Sequence, residues 1–366
     1  MPELKLSEIK EQLHSPSWRE VRFMNKADLR KRIYDVSGDS EIIHWFSSSG
    51  STGEPVVYPW TKTDEDIAKE TIGRVHLEKN SLPGAAALII APTGLQGMWY
   101  HMNNQLGQLN YATVFPGVDS VERIFDLIEK LQPKLLISLP LVLSRLGEFR
   151  VMNNAPRLSN EGILYSGGDV LSQARKKRIE ELWGVKLKNF YGLSEVFGPL
   201  AGETEDGSAF EWRADRVFVE IIDPLSKRGV DEGETGVAVI TTLWERPASL
   251  VRYWTGDYFK LIKWLDAGKP LFQMRGREQT SLPFLKDGYF PIDIDEILLS
   301  NTKVGNEWSA AVFDATLVIK VETASPDAEP VHDETFARLE EAFENQIKVQ
   351  FIPPGTLDRK VPKLCV

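Results

Sequence analysis

A hydroxyl-rich stretch near the N-terminus has the strongest potential for chemistry. Residues 47–55 read Ser-Ser-Ser-Gly-Ser-Thr-Gly-Glu-Pro and directly follow the apolar run IIHWF. Two glycines let the backbone turn its N–H groups toward one point, and the hydroxyls between them add donors, so the loop could wrap a polyphosphate. It lacks the Gly-Lys-Ser/Thr ending, which excludes a P-loop NTPase. A flexible Ser/Gly linker is the alternative interpretation.

Two further motifs place an acidic side chain beside a glycine turn. The motif YGLSE, residues 191–195, begins after the predicted strand LKNF, and a carboxylate at a strand end can hold Mg²⁺ against phosphate oxygens. In RYWTGD, residues 252–257, the final aspartate could accept hydrogen bonds from ribose hydroxyls. Each motif, taken alone, is also compatible with an ordinary turn.

The elements that must position these motifs alternate between strands and helices from about Gly84 onward. Apolar runs predict strands at 86–91, 134–140, 161–168, 187–192, 217–223 and 236–243. Amphipathic stretches predict helices at 119–131 and 172–184, and Asp119 and Glu122 have the spacing of a capping box. This pattern favours an α/β fold with a mixed sheet covered by helices.

The character of the chain changes near Arg277. Beyond it, strands are predicted at 315–322 and 348–354 and a helix at 334–347, with an acidic, proline-containing loop between them. We therefore predict a large N-terminal domain over residues 1–277 and a small C-terminal α+β domain, a lid, over residues 278–366.

Composition excludes several classes of partner. The net charge of −10 argues against nucleic acid or an anionic membrane, because both reward clustered Lys and Arg. One cysteine, Cys365, excludes an intramolecular disulfide and a cysteine-based metal cluster. The N-terminus lacks the apolar core of a signal peptide, and no apolar run approaches a membrane span, so we expect a cytoplasmic protein.

Taken together and in order, the motifs resemble those of the adenylate-forming superfamily of acyl-CoA ligases, peptide-synthetase adenylation domains and luciferases. The chain looks most similar to the phenylacetate-CoA ligase branch, from about Phe46 to its last residues, whereas the first 40 or so residues have no clear counterpart. Besides the hydroxyl-rich loop, the resemblance rests on YSGGDV, NFYGLSEVFGP, GETGVAVITTL, LVRYWTGD, MRGRE and PPGTLDRKVPK.

The resemblance implies roles in binding ATP and Mg²⁺. The loop would hold the β- and γ-phosphates, through Ser48, Ser49, Gly50, Ser51, Thr52 and Gly53. The adenine pocket would be lined by Gly167, Gly168 and Asp169, with Tyr191 stacked on the purine and Gly192 and Ser194 in the same motif. Thr52 and Glu195 would lie near Mg²⁺, and Asp257 and Arg277 would anchor the ribose.

Lys363 falls where the family keeps a lysine that enters the cleft from the small domain. A carboxylate that attacks the α-phosphate brings two anions together, so cations must offset their repulsion. Mg²⁺ and a mobile ammonium group can do this. The alternative is an ordinary lysine near the chain end, and Lys360 is the second candidate.

In this branch the acyl group lies near the segment that here reads GLQGMWYHMNN and near the residues after YGLSE. The implied substrate contacts are Trp99, Tyr100, His101, Phe197 and Gly198. Their aromatic bulk suits a flat ring, and His101 is the candidate to meet the carboxylate. Buried aromatic residues are, however, often only core.

The chain departs from the family pattern at the hinge and the tail. Gln279 stands where the hinge usually has a carboxylate, and the C-terminal lysine motif lacks its usual glycine, so adenylation is better supported than transfer to CoA. The short chain resembles the compact acid-activating proteins of antibiotic pathways, including the member linked to phenazine antibiotics such as griseoluteic acid. That resemblance implies activation of a phenazine dicarboxylate for a downstream reductase or another acyl acceptor.

Two other functions stay open from the sequence. The altered hinge and tail are compatible with a protein that binds a nucleotide and an aryl acid without turnover. A purely structural protein would require the ordered motifs to be coincidental.

Overall fold

The computed structural model describes residues 5–13, 15–35, 38–47, 56–72, 84–92, 97–117, 119–196, 198–265, 268–278, 290–313, 316–325, 334–343, 347–358 and 364–365. The chain forms two compact units. The first contains residues 1–139, 158–168 and 186–274, and the second contains residues 140–157, 169–185 and 275–366. This grouping follows spatial proximity, so the division into folding domains after Arg277 stays a prediction.

The described strands are β1 (Ile42–Ser47), β2 (Val57–Thr61), β3 (Ala86–Ile90), β4 (Ala112–Val114), β5 (Leu135–Ser138), β6 (Ile163–Ser166), β7 (Leu187–Leu193), β8 (Gly198–Glu203), β9 (Phe210–Trp212), β10 (Val217–Ile222), β11 (Thr235–Thr242), β12 (Tyr253–Leu265), β13 (Lys269–Arg277), β14 (Val304–Phe313), β15 (Thr316–Thr323), β16 (Ile347–Ile352) and β17 (Leu364–Cys365).

The described α-helices are α1 (Leu6–Gln12), α2 (Lys26–Asp35), α3 (Lys62–Ile72), α4 (Gly97–Gln108), α5 (Val121–Leu131), α6 (Pro140–Asn153), α7 (Gln173–Trp183), α8 (Pro291–Leu299) and α9 (Glu334–Ala342). Short 3₁₀ helices cover Pro16–Glu20 and Ser194–Val196. In the described part of the chain, no helix has the length and apolar character that a membrane crossing requires.

The first unit is built on a mixed sheet with the strand order β10-β11-β12-β13-β9-β8-β7-β6-β5-β3-β4. The strands from β4 to β7 pair in parallel, whereas β7 to β9 pair antiparallel, as do β10 to β12. β3, β5 and β6 are short apolar runs that are almost wholly buried, which is typical of parallel strands. The predicted α/β fold with a mixed sheet is confirmed.

Helix α5 begins one residue later than the capping prediction required. Ser120 is its N-cap, and the Ser120 hydroxyl accepts the backbone N–H of Arg123 at 3.3 Å. Asp119 instead forms an ion pair with Arg123 at 3.2 Å and accepts the Ser120 N–H. The predicted capping box of Asp119 and Glu122 is therefore wrong, because a serine next to Asp119 fits the cap position.

The N-terminal segment is fixed to the first unit by a buried arginine. Arg252 pairs with Glu220 at 3.0 Å and donates to the carbonyl oxygens of Trp18, Arg19 and Val21. Trp18 Nε1 donates to the same glutamate at 3.1 Å. Arg252 thus anchors a segment that precedes the first of the motifs shared with the adenylate-forming superfamily.

The second unit contains a four-stranded sheet in the order β16-β15-β14-β17. β14 pairs antiparallel with β15, while β16 and β17 pair in parallel with their neighbours. The buried faces of α8, α9 and this sheet share one hydrophobic core, which includes Leu298, Trp308, Ile319 and Phe343. The predicted elements of the small domain are present in this unit.

Candidate functional site

The parallel strands β3, β5, β6 and β7 end at the same edge of the sheet in the first unit. The hydroxyl of Ser138, at the end of β5, donates to the carbonyl oxygen of Ile90 at the end of β3, at 2.5 Å. Open α/β sheets bind ligands outside the carboxyl ends of their strands. The predicted motifs YSGG and YGLSE both occupy strand ends at this edge.

Gly167 and Gly168 follow β6 at that edge. A β-carbon at Gly167 would lie 2.3 Å from the ring of Phe190, so only glycine fits without displacing the ring. Gly168 has a φ of +80°, in the left-handed region that favours glycine. The two glycines therefore let the chain turn sharply here and leave room for the neighbouring side chains of Phe190, Met98 and Trp99.

Helix α4 places predicted substrate residues beside this turn. A β-carbon on Gly168 would lie 3.2 Å from the Met98 side chain and 3.3 Å from the indole of Trp99. Trp99 is buried and meets Phe190 edge to face, with 6.4 Å between ring centroids. Met98 also lies next to Gly198, where a β-carbon would be 3.7 Å from its side chain. The first turn of α4 thus packs against both the end of β6 and the start of β8.

The YGLSE motif crosses from β7 through a 3₁₀ turn toward β8. A β-carbon on Gly192 would lie 2.1 Å from the carbonyl oxygen of Gly198, so the two backbones approach as closely as glycine allows. The register of the β7–β8 pair shifts between Tyr191 and Gly192. This irregularity carries the chain into the turn at Ser194, which is half-buried, and Glu195, which is buried.

The structure brings Tyr191 and Asp257 together although 66 positions separate them. The tyrosine hydroxyl donates to Asp257 Oδ2 at 2.8 Å, and Asp257 is completely buried. The Tyr191 ring meets Phe259 and Phe272 edge to face, with centroids 4.8 and 6.0 Å away. Two of the predicted nucleotide-binding residues therefore form one hydrogen-bonded pair.

Glu195 is held by two residues that sequence reasoning missed. The hydroxyl of Tyr253 donates to Glu195 Oε1 at 3.2 Å, and Arg246 donates to the Glu195 carbonyl oxygen at 2.9 Å. Arg246 lies 3.5 Å from the carboxylate of Asp64, which also accepts the indole N–H of Trp244 at 2.9 Å. Tyr253 lies inside the RYWTGD motif, but the contact depends on strand register. No local signal marks Arg246.

Tyr58 on β2 also lies in this environment. Burial raises the pKa of its hydroxyl, and the negative charge of Glu195 adds to that effect. Tyr58 therefore stays protonated at neutral pH.

His101 is buried in an aromatic cluster. Its ring stacks on Trp60, with 3.5 Å between centroids and an angle of 19°, and meets Phe46 at 4.7 Å and Tyr100 at 5.6 Å. Burial, together with the nearby His44, lowers the pKa of His101 to about 3. The imidazole is therefore neutral at physiological pH and can contribute a hydrogen bond but no charge.

Several predicted residues are not brought into this arrangement. Asp169 and Arg277 belong to the second unit, where both are exposed, and Asp169 accepts the backbone N–H of Val170 at 2.8 Å. The predicted residues of the hydroxyl-rich stretch lie outside the described part of the chain, as do Phe197 and Lys363. Ser48, Ser49, Gly50, Ser51, Thr52 and Gly53 are the loop residues concerned.

The chain is similar to phenylacetate-coenzyme A ligases. The enzyme of Thermus thermophilus is 27% identical over an alignment of 377 positions that covers 93% of this chain and 84% of that protein. The Aromatoleum evansii enzyme is 27% identical over 349 residues, covering 88% and 78%. No protein-family model matches.

A solved structure of 2-hydroxyisobutyryl-CoA ligase, in the postadenylation state with 2-HIB-AMP, shares the fold. Its TM-score is 0.82 at 21% identity, with 99% of this chain and 84% of that chain covered. The sequence relatives and this shared fold support the adenylate-forming superfamily and its phenylacetate-CoA ligase branch.

Proposed function

We propose that this acid-activating ligase uses ATP to join AMP to an aromatic carboxylic acid. A carboxylate oxygen attacks the α-phosphorus, a new P–O bond forms, and the bond to pyrophosphate breaks, which gives an acyl adenylate and pyrophosphate. The acyl group then passes to an acceptor. With the thiol of CoA as acceptor, a C–S bond forms, the bond between the acyl carbon and the AMP oxygen breaks, and AMP leaves. The names of the phenylacetate-coenzyme A ligase relatives and the AMP conjugate in the structural neighbour support these two steps.

The observation that supports this proposal most is the pair of buried carboxylates near the carboxyl edge of the parallel strands. Asp257 and Glu195 each accept a hydrogen bond from a tyrosine hydroxyl. These hydrogen bonds orient the two carboxyl groups inside the first unit. A ribose, which donates hydroxyl hydrogens, and a metal cation are ligands that such carboxylates would suit.

A single carboxylate such as Glu195 suits a magnesium ion that is bound together with substrate phosphates. It does not by itself suit a metal that is held only by protein side chains. Mg²⁺ is usually bound through one or two carboxylates together with substrate phosphates and water. Among the described residues, no group of three or more His, Cys, Asp or Glu side chains is arranged to hold a metal. In this proposal Glu195 and Thr52 hold the ion, which would offset phosphate charge when bound, and Arg246 fixes the backbone of Glu195.

The remaining nucleotide contacts are proposed from the motifs. Asp257 and Arg277 hold the ribose, while Gly167, Gly168 and Asp169 line the adenine pocket beside Tyr191 and its motif neighbours Gly192 and Ser194. The loop residues Ser48, Ser49, Gly50, Ser51 and Gly53 contact the phosphates. Lys363 supplies an ammonium group to the α-phosphate, where two anions meet in the transition state.

We propose an aromatic acid because most of the predicted substrate contacts are aromatic side chains. Trp99, Tyr100 and Phe197 would pack on a ring, His101 would offer a hydrogen bond, and Gly198 would leave room beside Met98. The finer proposal is a phenazine carboxylate of an antibiotic pathway, whose activated carboxyl group is passed to a reductase or another acceptor. This part depends on the resemblance alone.

Exchange of radioactive pyrophosphate into ATP tests the adenylation step. Wild-type protein should catalyse exchange only when an aromatic acid is present, and Lys363→Ala should reduce the rate by about 10²- to 10³-fold. Lys360→Ala tests the second candidate, and Lys348→Ala, at an exposed lysine of β16, is the matched control and should keep most of the activity. Binding of ATP and acid without any exchange would favour the non-catalytic binding protein and contradict the proposal.

A further inference from the structure

Helix α4 buries two polar side chains whose polar atoms have no partner within the described part of the chain. His101 is 2% exposed and Gln105 is 3% exposed. His101 Nε2 makes no hydrogen bond to any described residue, and neither Nε2 nor Oε1 of Gln105 makes one. Three buried polar atoms are thus left on one helix, although buried polar groups in native proteins nearly always have partners.

The two side chains are neighbours on one face of α4. They are four residues apart on α4, so they lie one turn apart on one helix face, with about 5–6 Å between their β-carbons. A single small group could therefore reach both. The His101 ring cannot turn away to find another partner, because Trp60 covers one face and the ring of Phe46 packs against it.

An apolar residue at position 105 would be more stable than a buried amide without partners. The glutamine is therefore better explained by a bound group that completes its hydrogen bonds than by packing. The same argument applies to His101, whose ring could be replaced by phenylalanine without loss of the stacking on Trp60.

The two side chains offer hydrogen bonds but no charge. The amide of Gln105 provides a donor and an acceptor, and the imidazole of His101 is neutral at physiological pH because burial lowers its pKa to about 3. A second carboxylate would bring an uncompensated charge into this buried place, which is costly. The group that fits is uncharged and polar, such as a hydroxyl or a ring nitrogen.

The same helix contacts the strand ends of the candidate site. Met98 and Trp99 lie beside Gly168 and Gly198 in the first turn of α4, and His101 follows within the next turn. We infer that His101 and Gln105 form a subsite for an uncharged hydrogen-bonding substituent on the aromatic acid. This inference rests on the proposed function and narrows its substrate class to hydroxylated or nitrogen-containing aromatic acids.

Substrate selectivity in the pyrophosphate exchange assay tests the subsite. The substrates are benzoic acid, its three hydroxy isomers, and isophthalic acid, which has a second carboxylate. Wild type should prefer one hydroxy isomer to benzoic acid by about tenfold or more, since a site built to hydrogen-bond a hydroxyl rejects the analogue that lacks it. The preferred hydroxy isomer should also be a better substrate than isophthalic acid, whose second carboxylate would not fit this uncharged subsite.

Gln105→Met should reduce that preference about tenfold through kcat/KM for the hydroxy acid, with little change for benzoic acid. Gln105→Leu is the second variant, and Gln108→Met, an exposed glutamine on the same helix, is the matched control. An unchanged preference in both Gln105 variants, as expected if only a structural water fills the site, would overturn the subsite and leave adenylation standing. No exchange with any aromatic acid would instead overturn the proposed function and the subsite with it.

Discussion

Arg175 in the second unit and Gln105 in the first are both buried polar side chains, but their surroundings differ. The guanidinium of Arg175 makes two bonds to Asp295, at 2.5 and 2.9 Å, and further bonds to Ser144 and the carbonyl oxygen of Asn306. Gln105 makes no side-chain hydrogen bond to any residue that the structure describes. Hydrogen bonds therefore account for the burial of Arg175, whereas no contact with a described residue accounts for the buried amide of Gln105.

Asp295 shows how complete the satisfied region is. Its carboxylate also accepts the Ser172 hydroxyl at 2.7 Å and the indole N–H of Trp308 at 2.7 Å. Arg178 lies one turn further along α7 and donates to the carbonyl oxygens of Leu299 and Val304. These contacts fix α7 to α8 and β14, so the cluster serves the stability of the second unit.

The largest expected effect on stability comes from disrupting the hydrogen-bonded cluster of Arg175 and Asp295. Asp295→Ala should lower the free energy of unfolding by about 3–5 kcal/mol, because it leaves the Arg175 charge buried without its partner. Urea unfolding measures this loss.

The matched control for Asp295→Ala is Glu181→Ala on α7, the helix that carries Arg175. Glu181 lies 4.0 Å from Lys177, and both side chains are well exposed. Losing an exposed pair should cost less than about 1 kcal/mol. Equal losses of unfolding free energy in the two variants would show that the buried Arg175–Asp295 pair is no more stabilising than the exposed Lys177–Glu181 pair.

A smaller effect should appear in how the free energy of unfolding depends on pH, because His101 on α4 is buried. The folded protein holds the pKa of His101 near 3, below the ordinary value of 6.5, so the unfolded state binds more protons between these values. Stability should therefore fall as the pH falls through this range. Between pH 7 and pH 5, wild type should lose about 2 kcal/mol more than His101→Phe in urea unfolding. Parallel curves for the two proteins would show that His101 is not buried in its neutral form.

The smallest effect is a gain in stability. Gln105→Met removes two unsatisfied buried atoms while keeping a similar shape, so the free energy of unfolding should rise by about 1 kcal/mol. Gln108→Met should stay within about 0.5 kcal/mol of wild type, as is usual at exposed positions. A loss of stability in Gln105→Met would mean that the amide has a structural partner, and the contrast with Arg175 would disappear.

The sequence predicted the regular elements well where the signal is local. The strands β3, β5, β6 and β7 and the helix α7 follow from apolar runs and amphipathic periodicity. Helix α4 was not predicted, because its buried residues include His101 and Gln105 and its apolar stripe is therefore interrupted. A helix whose buried face contains polar residues is hard to recognise from hydrophobic periodicity alone.

The contacts of the candidate site were less accessible to sequence reasoning. Pairing of the Tyr191 hydroxyl with Asp257 depends on the register between distant strands, although both residues were identified from their motifs. The support that Arg246 gives to Glu195 depends on a buried contact over 51 positions, without any motif. The positions of the hydroxyl-rich loop and of Lys363 stay predictions from the motifs.

Transfer of oxygen from the acid to AMP tests the central claim most directly. The aromatic acid is prepared with ¹⁸O in both carboxylate oxygens and incubated with the enzyme, ATP and CoA, and the released AMP is analysed by mass spectrometry. If the carboxylate attacks the α-phosphorus, each AMP formed will carry one ¹⁸O atom. Unlabelled AMP, or ADP with labelled phosphate, would contradict adenylation of the acid.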